Sequence, residues 1–145
     1  MAAIPVSAFR RILRHFEREL SVQNQSGCCC GVSVTQCHAL MELSVKDNIT
    51  MNELSDRLHL DKSTVSRTVD NLVLLNLVDR EIPESNRRTT RIRLTENGRT
   101  VCKTINDGNN KYFLKALRAI PRERLPDFLN SFELLATEMM KLNKK

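Results

Sequence analysis

Apolar residues recur at three- and four-residue steps from the start of the chain. Val6, Phe9, Ile12, Leu13, Phe16 and Leu20 line one side of a helix predicted over residues 5 to about 25, with arginines and glutamates on the other side. Asn24, Ser26, Gly27 and Gly31 break that pattern, and Ser33-Val34-Thr35-Gln36 restarts it with capping-box spacing. The second helix then carries Cys37, Leu40, Met41 and Ser44 on one face. Thr50-Met51-Asn52-Glu53 is another capping box and opens a short helix with Leu54 and Leu58. After His59-Leu60, Asp61 is a natural N-cap for a fourth helix, whose inward stripe is Val65, Val69 and Leu72.

The period then shortens. Residues 77–82 and 90–94 read as two strands, the second alternating in steps of two, joined by the polar, basic turn Pro83-Glu84-Ser85-Asn86-Arg87-Arg88. Thr95-Glu96-Asn97-Gly98 starts a long helix to about Ala119, with Gly108 as its weak point. Pro121 begins a last helix in which Leu125, Phe128, Leu129, Phe132, Leu135, Ala136 and Met139 keep helical spacing. The predicted order is α-α-α-α-β-β-α-α, a mainly α (α+β) fold with a hairpin inside a helical chain and no internal repeat.

Two short helices joined at His59-Leu60 and followed by a basic hairpin make a winged helix-turn-helix. In such a unit the first helix buttresses a second whose outward face enters a major groove about 12 Å wide. Small polar and basic side chains suit that face, and Lys62, Ser63, Thr64, Ser66, Arg67 and Asn71 meet the requirement. Arg67 is the candidate for a bidentate guanine contact, and Ser63, Thr64 and Ser66 can serve bases or phosphates. An Asn86-Arg87-Arg88 tip suits a narrow groove between two phosphate backbones, and Arg91 extends the basic surface.

Composition agrees with this reading. A chain of 145 residues suits one main core, and a formal charge of +6 favours an anionic partner. Six arginines (80, 87, 88, 91, 93, 99) fall between Arg80 and Arg99, with Arg67 just upstream. No apolar run approaches a membrane span and the first residues lack the pattern of a signal peptide, so a cytoplasmic protein without a membrane partner is expected. The three histidines are scattered, no glycine-rich phosphate loop is present, and no nucleophile–base set stands out, so an enzyme is not expected.

The run Met51-Asn52-Glu53-Leu54-Ser55-Asp56-Arg57-Leu58, then Asp61-Lys62-Ser63-Thr64-Val65-Ser66-Arg67, Leu72 to Val78, Asn86-Arg87-Arg88 and Leu94-Thr95-Glu96-Asn97-Gly98 resembles the MarR family of bacterial regulators over nearly the whole chain. The resemblance implies a transcriptional repressor that binds double-stranded DNA at a pseudo-palindromic operator as a homodimer. It also implies a DNA-binding lobe at residues 50–95 and helical dimerisation regions at 5–46 and 96–143. Apolar stripes on the terminal helices independently favour pairing. One departure is visible: the family commonly has an Asp where Asn86 stands, which implies a weaker clamp on Arg88.

Five cysteines, three of them consecutive at Cys28-Cys29-Cys30, do not form a disulfide framework. They lie just ahead of the Ser33 cap, near the positive end of a helix dipole that favours thiolate, with Cys37 one turn further on. Soft thiolates select soft ions, so the run is a candidate site for As(III), Sb(III) or a soft metal ion as effector, with no obligatory cofactor. Thiol oxidation is the competing reading, and a small aromatic ligand between the dimer arms and the DNA lobe is a third. Cys37 lies on an apolar face and has a plain core alternative, and Cys102 reads as core.

Overall fold

The computed structural model describes residues 5–27 and 30–144. The elements are α1 (Val6–Gly27), α2 (Val34–Val45), β1 (Ile49–Thr50), α3 (Met51–Leu58), α4 (Lys62–Leu74), β2 (Val78–Glu81), β3 (Arg91–Leu94), α5 (Glu96–Leu117), a 3-10 turn (Arg122–Arg124) and α6 (Leu125–Asn143). The chain divides into two compact units, Met1–Asn106 and Asp107–Lys145.

The expected caps set the helix starts in the first unit. Ser33 and Gln36 exchange bonds at the head of α2 (3.2 and 2.8 Å), and Thr50 and Glu53 do the same at the head of α3 (3.1 and 2.8 Å). Hydrogen bonding from the Thr50 backbone, helped by Lys46, holds the Glu53 carboxyl below its ordinary range. Between α3 and α4, His59 takes the left-handed conformation (φ 52°) and Leu60 N–H donates to the Ser55 carbonyl. The Ser55 hydroxyl in turn donates to the Leu60 carbonyl at 2.6 Å, which closes the turn. At the far end of α4, Asn76 is also left-handed (φ 56°) and Leu77 N–H reaches the Leu72 carbonyl, a Schellman-type stop.

The core of this unit is one cluster. Ala39, Leu40 and Leu43 of α2, Ile49 of β1, Leu54 of α3, Val65, Val69 and Leu72 of α4 and Ile92 of β3 have no accessible surface. The sheet has three strands in the order β1-β3-β2, all antiparallel, with Ile92 opposite both Ile49 and Arg80. Period reading anticipates the hairpin but not β1. Two residues carry no periodicity, and Ile49–Thr50 become a strand because β3 offers them partners in space. Asp47 fastens that edge: its carboxylate accepts from the Asn48 and Leu94 N–H groups and pairs with Arg99 at 2.7 Å.

Gly98 sits where α5 crosses the strand entry. A Cβ built there would lie 1.9 Å from the Leu77 carbonyl oxygen, so the Leu-Thr-x-x-Gly pattern reflects a close backbone approach. Thr95 supports the approach, because its hydroxyl donates to the Asn76 carbonyl and accepts from Gly98 N–H. α5 is helical through Gly108, and the division between the two units falls just before that residue. In the second unit, Pro121 does not begin the last helix. A 3-10 turn follows it, and α6 starts at Leu125, where Pro126 lacks only an N–H that the first turn leaves unpaired anyway.

Val6, Phe9 and Ile12 of α1 stand exposed, as do Phe128, Leu129, Leu134 and Met139 of α6, and the Phe128 and Phe132 rings stack at 5.8 Å. Among the described residues, no helix is long and apolar enough to cross a membrane.

Candidate nucleic-acid interface

α4 buries Val65, Thr68, Val69 and Leu72, which turns the residues between them outward. Lys62, Ser63, Arg67 and Asn71 are exposed, and Thr64 and Ser66 are half-buried. Positions 63, 66, 67, 70 and 71 follow a three-four spacing along one ridge, so these side chains share a continuous outward surface that also includes Asp70.

Asp61 organises the start of this ridge. Its carboxylate accepts from Thr64 N–H at 2.9 Å, from the Thr64 hydroxyl at 2.7 Å and from the Ser63 hydroxyl at 2.5 Å. The Ser63 and Thr64 bonds keep the Asp61 carboxyl well below the usual carboxylate range.

The wing follows directly. β2 and β3 pair from Val78–Leu94 to Glu81–Arg91, and the tip at residues 82–90 is almost wholly exposed. Asn86 shapes the tip through its side-chain oxygen, which accepts from Arg88 N–H at 3.2 Å. Two backbone bonds, Asn86 N–H to the Pro83 carbonyl and Thr89 N–H to the Asn86 carbonyl, close the rest. Asn86 therefore acts on the backbone of Arg88, as short polar side chains do in turns.

The arginines fall into two groups. Arg80 pairs with Asp70 at 2.7 Å, Arg93 with Glu81 at 3.4 Å and Arg99 with Asp47 at 2.7 Å, and Arg91 donates to the Asn48 carbonyl at 2.9 Å. Among the described residues, the guanidinium groups of Arg67, Arg87 and Arg88 have no ion pair or hydrogen-bond partner. Between Arg57 and Arg99, the guanidinium groups without a partner thus lie on the outward ridge of α4 and at the wing tip. Arg91 stands at the tip-proximal end of β3, opposite Glu81, with its guanidinium held on the Asn48 carbonyl. Sequence reasoning missed Arg80 and Asp70, because nothing in their spacing shows that a strand residue reaches back to the helix before it.

Cys28 and Cys29 lie outside the described residues. Cys30 is half-buried against the core, Cys37 is buried within it, and the Cys102 thiol is buried and donates to the Leu40 carbonyl at 3.4 Å. Burial, with the nearby Asp47 charge, pushes the Cys102 thiol up, which fits a core residue. Among the described residues no three His, Cys, Asp or Glu side chains group as metal ligands.

Residues 31–89, which span α2 to the wing tip, match the sequence model of the MarR family. No curated protein sequence matches the chain. Similar solved structures include Streptococcus pneumoniae FabT in complex with DNA, at 18% identity and TM-score 0.80, covering 93% of this chain and 99% of that one. The PcaV transcriptional regulator from Streptomyces coelicolor, in complex with its natural ligand, has 18% identity and TM-score 0.77 over 94% of this chain and 98% of that one. A MarR transcriptional regulator from Methanosarcina mazei has 24% identity and TM-score 0.74 over 94% and 96%. The chain has the fold of these regulators, and its central segment carries the family's sequence pattern.

Proposed function

We propose that this chain, MarR-like in fold and in its residues 31–89, is a DNA-binding transcription regulator, a repressor that works as a homodimer on a pseudo-palindromic operator. The observation that carries the reading is the placement of free charge. Between residues 57 and 99, five arginines (57, 80, 91, 93 and 99) hold the protein's own structure together, and the three without a partner among the described residues (67, 87 and 88) stand on the α4 ridge and the wing tip. A helix in the major groove and an arginine-tipped wing in the adjacent minor groove use those two places. The DNA complex of FabT has the same fold, which supports the docking. The exposed apolar stripes of α1 and α6 are each surfaces that a second copy would cover, and pairing doubles the length of site read.

Two substitutions test the docking. Arg67→Ala removes a base contact and Arg88→Ala a groove contact, and each is expected to weaken binding to a selected duplex by about 1–3 kcal/mol, roughly 5- to 150-fold. Fluorescence anisotropy over a range of salt concentrations measures both. Arg88→Ala should also make the salt slope shallower by about one. Parental affinity in both variants would overturn the model.

The effector side of the proposal is metalloid or soft-metal binding by the cysteine run at 28–30. Cys30 packs against the core just ahead of α2, and α2 packs on both α3 and α4, so a change in shape at residues 27–37 has a short mechanical route to the recognition helix. Oxidation of the same thiols would use the same route. A shift of about 1.4 kcal/mol already changes affinity tenfold. The ligand-bound PcaV structure, with the same fold, favours a small organic effector as the second reading. DNA binding titrated with arsenite, Zn(II), Cu(I) and peroxide separates the two. The parent should release DNA with at least one reagent and a Cys28/Cys29/Cys30→Ser protein with none, whereas identical responses would eliminate the thiol readings.

A further inference from the structure

The outward ridge of α4 contains an acid. Asp70 is the only acidic residue between Lys62 and Leu74, and it shares the ridge of Ser63, Ser66, Arg67 and Asn71. A carboxylate there faces the same polyanion as Arg67 and would repel it if left unpaired. Arg80, on β2 of the wing, answers it. One guanidinium nitrogen lies 2.7 Å from the Asp70 carboxylate and 3.3 Å from the Ser66 carbonyl. Arg80 therefore grips α4 at two points one turn apart, and both lie beside Arg67.

We infer that Arg80 is a positioning residue for DNA recognition, which fixes the wing against α4 and cancels the Asp70 charge so that helix and wing meet the duplex as one rigid piece. The inference rests on the DNA-binding reading above. Three features converge on it. β2 joins α4 through only three residues, 75–77, and beyond the buried Val78 its residues 79–81 are exposed, so the core does not hold the outer part of this strand. β2 is an edge strand, hydrogen-bonded within the sheet to β3 alone, so side-chain ties such as that of Arg80 are what fasten its exposed residues to α4. The Arg80 side chain is 34% exposed and that of Asp70 is 52% exposed. In the free protein such a pair adds little to stability, but it loses water when a duplex covers it, and removing one partner then leaves an uncompensated charge.

The test is a double-mutant cycle between Arg80 and the wing tip. A random-sequence duplex library supplies the site that the parent binds best, and anisotropy gives affinities for the parent, Arg80→Gln, Arg88→Ala and the double variant. Arg80→Gln should weaken binding by about tenfold or more, with the thermal midpoint close to the parental one. Arg88→Ala should cost its full factor in the parent and less than about threefold after Arg80→Gln, because a wing that is no longer aimed gains little from its arginine.

Arg80→Lys keeps the charge without the planar fork and serves as the second variant should Arg80→Gln fold poorly. It should show intermediate coupling. Asp70→Asn separates charge from aim. If Asp70→Asn combined with Arg80→Gln regains parental affinity and the full Arg88 cost, Arg80 acts by neutralisation alone and the positioning role is overturned. Equal Arg88 costs in the parental and Arg80→Gln backgrounds overturn it as well. A parent that enriches no sequence and binds no duplex overturns the DNA-binding reading, and this inference falls with it.

Discussion

Gly98→Ala should destabilise the first unit by about 3 kcal/mol, near the upper end of what overpacking one methyl costs. The added carbon would stand 1.9 Å from the Leu77 carbonyl oxygen and 3.0 Å from its carbonyl carbon, and backbone cannot rotate out of the way as a side-chain tip can. Displacing that carbonyl also breaks the bond it accepts from Thr95 N–H, at the point where α5 enters. Urea denaturation followed by circular dichroism measures the effect as a lowered midpoint with an unchanged slope. Ala is otherwise the better helix former by about 1 kcal/mol, so a midpoint at or above the parental one would mean that the α5 crossing is looser than described.

Leu72→Ala should be comparably damaging, at about 2–5 kcal/mol, because the side chain is fully buried and its removal leaves a cavity under α4. The Leu72 carbonyl also takes the Leu77 N–H that stops α4, so loosening at this position reaches the end of the helix and the start of the wing. Val73 is the internal comparison. It is 38% exposed, and Val73→Ala should cost less than about 1 kcal/mol. Similar losses at the two positions would show that α4 does not sit on its core as described.

Much of this fold is written in short-range signals. Ser33, Thr50 and Asp61 each announce a helix start because a cap is a contact between residues three apart, and all three caps form. The stripe Val65, Val69 and Leu72 likewise fixes which way α4 turns, and with it the outward set that contains Arg67. What stays hidden depends on pairing across long intervals. β1 exists because Ile49 meets Ile92, and Arg91, next to the wing tip, is held by the Asn48 carbonyl 43 residues away. Arg80 looks like one more positive charge until β2 folds back beside α4 and brings it to Asp70. The cysteine run shows the opposite limit. Its adjacency is conspicuous in sequence, but adjacency says nothing of burial, and Cys37, one turn into α2, is buried in the core.

The Asp61 cap has a consequence for the chemistry that α4 can offer a base pair. An ionised carboxylate has no proton to give, so the hydroxyl hydrogens of Ser63 and Thr64 must both point toward Asp61. What these two side chains present outward is lone pairs. A phosphate oxygen arriving there meets acceptor against acceptor, whereas the exocyclic amino group of cytosine or adenine finds a match. The head of α4 is thus polarised by its own cap: its two hydroxyls offer acceptors, and in the proposed docking the donors come from Lys62 and, one turn further along, Arg67.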